Sequence, residues 1–415
     1  MQISLIEFSL ENFKTFKNKA TFSMVARKND RHTFESNGEN LLKTSFIYGP
    51  NASGKTTILE ALTIMKNGIM LSSNNPVDAE LPYTPFSGSA TTQKKPTSFW
   101  FTFSIDGKYD GTYLYFFSFV KDHIVEESFV KVLANGNTEE LFVRNGQDIV
   151  LDKSIDKDLV KKMRKETLFL SVAAQWNDQM SLSILNAIRD GLNIISGVAY
   201  QTYQDFTAKK FATDLVYKEQ ILTYLKHADF CIINGRSEEV ERPAINVKNN
   251  FGEFSASATK QKSNMLFFEH PVHDDDHKVT GSFEVPFDKE STGTQKFVSV
   301  LGPVIDTLQN GKIMIVDEFD NSLHPKLTKF IIDLFESEEM NKNGAQLIVT
   351  THDTSLLSYK DDFIKDQFWF TEKDEFDGSK LFSLGEFDIR NDTEFSKKYL
   401  EGRFGALPFI RSVLK

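Results

Sequence analysis

Residues 41–57 read LLKTSFIYGPNASGKTT, and this stretch decides how the rest of the chain is read. The apolar run that ends at Tyr48 is broken by Gly49 and Pro50, so it reads as a strand followed by a turn. After Lys55, apolar residues recur at Ile58, Leu62, Met65 and Ile69, which is one face of a helix. Between the two, Gly49-Pro50-Asn51-Ala52-Ser53-Gly54-Lys55-Thr56 fits G-x-x-x-x-G-K-[ST] in the strand–loop–helix setting that the pattern requires. The backbone N–H groups of such a loop and the helix N-terminus converge on an anion. Gly49 to Thr57 are therefore the candidate nucleotide-binding residues. Lys55 is expected to reach the β- and γ-phosphates of ATP, and the Thr56 hydroxyl to ligate Mg²⁺.

Two later runs extend this reading. In KIMIVDE (312–318), a short apolar strand delivers Asp317 and Glu318 at its carboxyl end, where open α/β sheets bind ligands. Asp317 is expected to hold magnesium through water, and Glu318 to polarise the attacking water as general base. AQLIVTTHD (345–353) brings His352 to the end of another such strand, within reach of a γ-phosphate. A third motif, ESTGTQKF (290–297), opens a helix whose apolar face is Phe297, Leu301, Val304 and Leu308. Its start, with Ser291, Gly293 and Gln295, looks built to hold a ligand, although Ser before an apolar helix also reads as an N-cap.

The order GPNASGKT, ESTGTQ, IVDEFDNSLHP, VTTHD resembles the P-loop, signature, Walker B with D-loop, and switch histidine of ABC-type ATPases. Within them it looks most like the SMC/Rad50/RecF branch and the overcoming-lysogenisation-defect relatives. LFLSVAAQWN (168–177) and KKYLEGRFGALPFI (397–410) resemble the single-chain AAA-15/AAA-21 ATPases of the RloA or AbiLi type, found in phage-defence operons. The resemblance implies Mg²⁺-dependent ATP hydrolysis in a head-to-tail pair, with Ser291 and Gly293 acting on the ATP of a second copy. It also implies D-loop roles for Asn321 and Ser322, and an operon-encoded effector, a nuclease in the first instance. Thr292 and Thr294 replace small or glycine positions of the common signature. Gln93 is the candidate magnesium-sensing glutamine, and Lys14 or Phe16 the candidate base contact.

The expected fold class is α/β: a mixed sheet built from both ends of the chain, an antiparallel β lobe and a helical insertion. Residues 1–154 are read as the N-terminal part of the ATPase domain, in which Asp106-Gly107, Asn135-Gly136 and Asn145-Gly146 mark the turns of an antiparallel meander. Residues 155–264 read as a helical insertion and polar linker, with DKDLVKKMRKETLFL helical and about 235–264 weakly patterned. Residues 265–375 complete the ATPase domain, and 376–415 form a hairpin at Asp377-Gly378 and a docking tail with Arg403, Phe404 and Phe409.

The totals bound the alternatives. A net charge of −10 argues against a nucleic-acid coat protein, because phosphate neutralisation needs dense Lys and Arg. Lys161, Lys162, Arg164, Lys165, Lys209 and Lys210 are the basic candidates to face DNA or RNA, and the first four share their segment with Asp156, Asp158 and Glu166 and read as a solvated face. With the single Cys231 there is no intrachain disulfide, and without a signal segment or an 18-residue apolar run the chain is expected to be cytoplasmic. The 38 Phe read as packing, and HPVHDDDH (270–277) as a solvated hairpin tip rather than a metal site. The competing function is a DNA-binding repair or chromosome-maintenance ATPase. A transporter subunit is disfavoured by the long separation of Lys55 from Asp317.

Overall fold

Each continuous apolar run becomes a buried strand. In the computed structural model, Thr44–Tyr48, Ile313–Val316 and Gln346–Thr350 are buried at every position. The structure describes residues 1–415 apart from 29, 134, 196–199, 229, 251–252, 322, 360–361, 388–394 and 407–415, and no side chains at 200–202 or 242–261. The described chain divides into two units: Met1–Ser196 with Thr307–Asp320 and Ile332–Lys415, and Gly197–Asp306 with Asn321–Ile331. The first break therefore falls at 196/197 rather than at 154/155.

The first unit holds a six-stranded sheet in the order Leu192–Ile195, Ile313–Val316, Gln346–Thr350, Thr44–Tyr48, Phe368–Lys373, Ser379–Ser383. All neighbours are parallel except the last pair, a hairpin turning at Asp377, whose φ is 62°. The strands of both chain ends lie side by side, as expected. A parallel sheet covered on both faces needs apolar residues throughout, which is why these strands read as unbroken runs.

A seven-stranded antiparallel sheet completes this unit, running from Asp148–Leu151 through the meander to Thr97–Asp106, then Gln2–Glu11 and Ala20–Ser23. The turns after Thr97–Asp106, Ile124–Val132 and Thr138–Asn145 fall at the Asp-Gly and Asn-Gly dipeptides that the sequence marks, whereas the turn at 120–123 carries no such dipeptide. The Phe residues are packing groups: Phe99, Phe101, Phe103, Phe117 and Phe129 are buried in ring contact along the meander. The helix Lys55–Leu71 buries Ile58, Leu62, Met65 and Ile69 in the same core, the face that its periodicity predicts.

Two segments differ from the sequence reading. DKDLVKKMRKETLFL is not one helix; it is a 3₁₀ turn at Lys157–Lys162 and the short helix Phe169–Gln175. The cause is Arg144, a fully buried guanidinium that draws in the carbonyls of Arg164, Lys165 and Thr167, the acceptors that helical hydrogen bonds would need. The polar stretch after 234 is not a linker. It pairs as two long antiparallel strands, Asn234–Asn250 and Glu253–His273, joined by Val279–Pro286 in a three-stranded sheet. Near Asn234, positions such as Arg236, Glu238, Glu239 and Lys262 carry exposed ion pairs. Polarity of this kind removes the alternation that identifies a half-buried strand.

The second unit contains that sheet and the helices Tyr200–Thr213 and Leu215–His227. The helix Thr292–Asn310 begins there, and the Thr207 hydroxyl donates to the Ser299 carbonyl while a Cβ on Gly302 would collide with Thr207. HPVHDDDH forms the strand end and turn between His273 and Val279, where Asp274 accepts the amides of Asp276 and Lys278. Arg403 and Phe404 of the docking tail are described, with Phe404 in ring contact with Phe370; Phe409 lies outside the described residues. Among the described residues no helix is long and apolar enough to cross a membrane.

Candidate nucleotide site

Parallel pairing sets the site. Val316 pairs with Val349 and Thr350 with Ile47, so the strands bearing Asp317, His352 and the glycine loop all end at one edge of the sheet. The loop itself needs unusual backbone: Gly54 has φ 114°, and Ala52, which carries a Cβ, has φ 62°. Gly49 is required by space, because a Cβ there would lie 2.3 Å from the Thr371 hydroxyl. The helix that follows has no side-chain cap and no acidic residue in its first turn, so its leading amides face the loop unopposed.

The loop closes on Lys55, whose ammonium donates to the carbonyls of Gly49 (2.7 Å) and Pro50 (3.1 Å). Burial lowers the Lys55 ammonium to about 8, against the opposing pull of Asp317, Asp320 and Glu318. An anion in the loop restores the proton, so binding requires protonation wherever the free ammonium has lost it. ATP affinity is expected to be level below pH 8 and to fall by up to about tenfold per pH unit above it. Lys55→Arg, which keeps its charge, should flatten that fall; titration of Kd from pH 7 to 9.5 checks both.

Asp317 is buried, and its carboxylate accepts the Thr350 hydroxyl at 2.5 Å. The same hydroxyl accepts the Glu318 backbone N–H at 2.8 Å, so one side chain clasps both acidic positions. Glu318 is exposed with φ 49°, a left-handed conformation that a residue with a Cβ adopts at a cost. His352 is exposed as well, and its backbone N–H lies 3.3 Å from an Asp320 carboxylate oxygen. Burial of part of the ring and the Lys55 charge lower the imidazole below its ordinary value, against Asp320, Glu318 and Asp317. A ring N–H can donate to a phosphate oxygen at this strand end.

The donor set suits magnesium. The Thr56 hydroxyl is exposed at the helix start, and the Asp317 carboxylate follows the strand Ile313–Val316, one strand removed from Thr44–Tyr48; both are hard oxygen donors. Among the described residues no group of three or more His, Cys, Asp or Glu side chains could hold a metal, and magnesium, which keeps several waters, needs only one or two protein oxygens.

The structure brings Gly49–Thr57, Asp317, Glu318 and His352 to one edge, in one unit. Ser291, Gly293 and Gln295 belong to the other unit. There the exposed Ser291 hydroxyl accepts the Thr294 amide at 3.1 Å, the N-cap bond, while the Gln295 side chain donates to the Glu290 carbonyl. Asn321 lies in that unit too, and Ser322 lies outside the described residues. The Gln93 amide is exposed and donates to Ser87. Phe16 is buried against Gly54, and Lys14 pairs with Glu60 on the P-loop helix at 2.5 Å. Lys161 and Lys165 pair with Asp158 and Asp78, in keeping with a solvated face.

Sequence reasoning missed three supports. Thr350 was read only as part of a strand, although a hydroxyl in an otherwise apolar run is a signal. Thr371 shares a 2.5 Å hydrogen bond with the Ser53 hydroxyl and donates to the Tyr48 carbonyl, pinning the loop from the next strand. Asp320 carried no signal beyond its place two residues after Glu318.

The sheet order and the glycine loop at the end of a central parallel strand give the chain a P-loop nucleotide-binding fold. Residues 232–358 match the family model described as "AAA domain, putative AbiEii toxin, Type IV TA system"; the P-loop lies upstream of the match. The fold is similar to the Smc head bound to the C-winged helix domain of ScpA (15% identity, covering 91% of this chain and 97% of that one, TM-score 0.45). It is also similar to the SMC head domain from Thermotoga maritima (11%, 92% and 99%, TM-score 0.39) and to the recombination mediator RecF (12%, 92% and 98%, TM-score 0.34). No curated protein matches the chain significantly.

Proposed function

We propose that the chain hydrolyses ATP with Mg²⁺ as a head-to-tail pair of copies and thereby controls a separately encoded effector, in the first instance a nuclease, in defence against phage. The observation that carries the hydrolytic part is the clasp of Asp317 and Glu318 by Thr350 beside Lys55 and His352. Lys55 and the loop amides hold the phosphates, and the His352 ring meets the terminal one. Glu318 accepts a proton from the attacking water. Thr56 and Asp317 would hold magnesium, which when bound neutralises charge on the phosphates. Catalysis of phosphoryl transfer is chiefly positioning and electrostatic stabilisation, which these groups supply.

The paired arrangement is supported by the Ser-Thr-Gly-Thr-Gln helix start, which presents Ser291 and a half-buried Gly293 at an N-terminus. Mixing two inactive proteins tests it. Lys55→Ala and Ser291→Arg are each expected to lack ATPase activity, and together to recover about a quarter of it, the share of composite sites left intact by random pairing. No recovery on mixing overturns the pairing.

The defence role is supported by the family description over 232–358 and by the resemblance of 168–177 and 397–410 to the RloA/AbiLi type. Co-purification with the product of a neighbouring reading frame, with ATPase activity indifferent to DNA, is the expected result. ATPase stimulation by DNA with steep salt dependence would replace the defence role by the DNA-repair reading.

A further inference from the structure

A cavity of about 720 Å³ opens beside Gly49, Pro50 and Asn51, and part of its wall comes from the C-terminal segment. Lys373 is the lysine in its wall, which the Glu372 carboxylate also lines. The strand Phe368–Lys373 runs parallel to Thr44–Tyr48, with Phe370 opposite Tyr48, so it ends at the same edge. Thr371 on that strand touches the loop at Ser53, and residues two apart on a strand face the same way, which turns Lys373 toward the cavity. Its ammonium meets the exposed Asp377 at 3.3 Å in a solvent-screened pair, the kind of contact that is worth little and readily exchanged for phosphate.

The opposite wall is built, not loose. Tyr399 stacks on Phe370 at 5.4 Å, and its hydroxyl donates to the Ala406 carbonyl at 2.9 Å. The Ala406 N–H donates to Glu372 at 3.1 Å, so this carboxylate ties the segment down. Leu400 lines the same cavity and is 60% exposed. His352 lines it too, whereas Phe16 and Lys14 lie at Gly54 and Glu60, toward the other end of the loop. The cavity therefore takes the terminal-phosphate end of a nucleotide.

We propose that Lys373 is a second phosphate-binding cation that reads the third phosphate, in a cavity closed by the C-terminal segment 399–406. This rests on the nucleotide-binding reading above, in which His352 faces the γ-phosphate.

Kd values for ATP and ADP test it with Mg²⁺ present. Lys373→Met is expected to weaken ATP roughly fivefold or more and ADP less than twofold. Lys373→Arg should keep the ATP-to-ADP ratio. At the exposed Leu400, Leu400→Glu should weaken ATP and Leu400→Lys tighten it, each by about threefold, with thermal midpoints unchanged. Equal effects of Lys373→Met on ATP and ADP, or none, overturn the Lys373 role; indifference to both Leu400 changes overturns the wall. Lys55→Ala in the same assay separates the two readings. If it abolishes ATP binding, only the Lys373 inference has failed; if it does not, the nucleotide reading itself falls.

Discussion

Glu318→Gln is expected to slow ATP turnover by roughly a hundred- to ten-thousandfold while leaving ATP bound, the range that a positioned general base supplies. The argument starts from the backbone. Glu318 follows a strand buried at every position, and its left-handed φ of 49° turns the chain so that the carboxylate stands exposed beside the buried Asp317. The Thr350 hydroxyl holds both residues at fixed separation. Glutamine preserves this shape and removes only the proton acceptor. Steady-state phosphate release together with retained nucleotide after rapid desalting checks it, and turnover near that of the unaltered protein would sink the assignment of Glu318 as base.

Glu127→Ala is expected to lower stability by about 3–5 kcal/mol, the cost of leaving a buried charge without its partner. Glu127 is wholly buried, and its carboxylate accepts the Tyr115 hydroxyl (2.8 Å), the amides of Phe169 (2.7 Å) and Leu170 (3.1 Å), and one Arg144 N–H (3.3 Å). It thereby joins the antiparallel meander to the start of the helix Phe169–Gln175. Without it, Arg144 keeps its carbonyl acceptors but has no counter-charge. Replacing both residues, as Glu127→Met with Arg144→Leu, should cost less than Glu127→Ala, because no uncompensated charge remains. Denaturant midpoints of the three proteins measure this, and equal losses would show that packing, not charge, dominates.

The candidate site was largely legible because its residues lie in short contiguous motifs with a fixed mechanical meaning. Glycine in the loop, apolar strand before an acidic pair and histidine after a buried strand are local patterns. Their supports were not legible. Thr371 and Lys373 lie more than three hundred residues from Gly49, and nothing in their own neighbourhood marks them; only parallel pairing with Thr44–Tyr48 brings them to the loop.

The same division holds for the fold. The meander, the buried parallel strands and the P-loop helix were written into turn dipeptides and apolar periodicity, because burial imposes those patterns on nearby residues. The break of DKDLVKKMRKETLFL was not, since it is caused by Arg144 competing for its carbonyls from another strand. The long pairing after Asn234 was not, since polar strands carry no alternation. By itself, the sequence determined which residues form the loop, the acidic pair and the histidine at the strand end. The tertiary structure alone decided that Thr350, Thr371 and Lys373 stand beside them, because pairing between distant strands is set by the whole sheet and not by any segment within it.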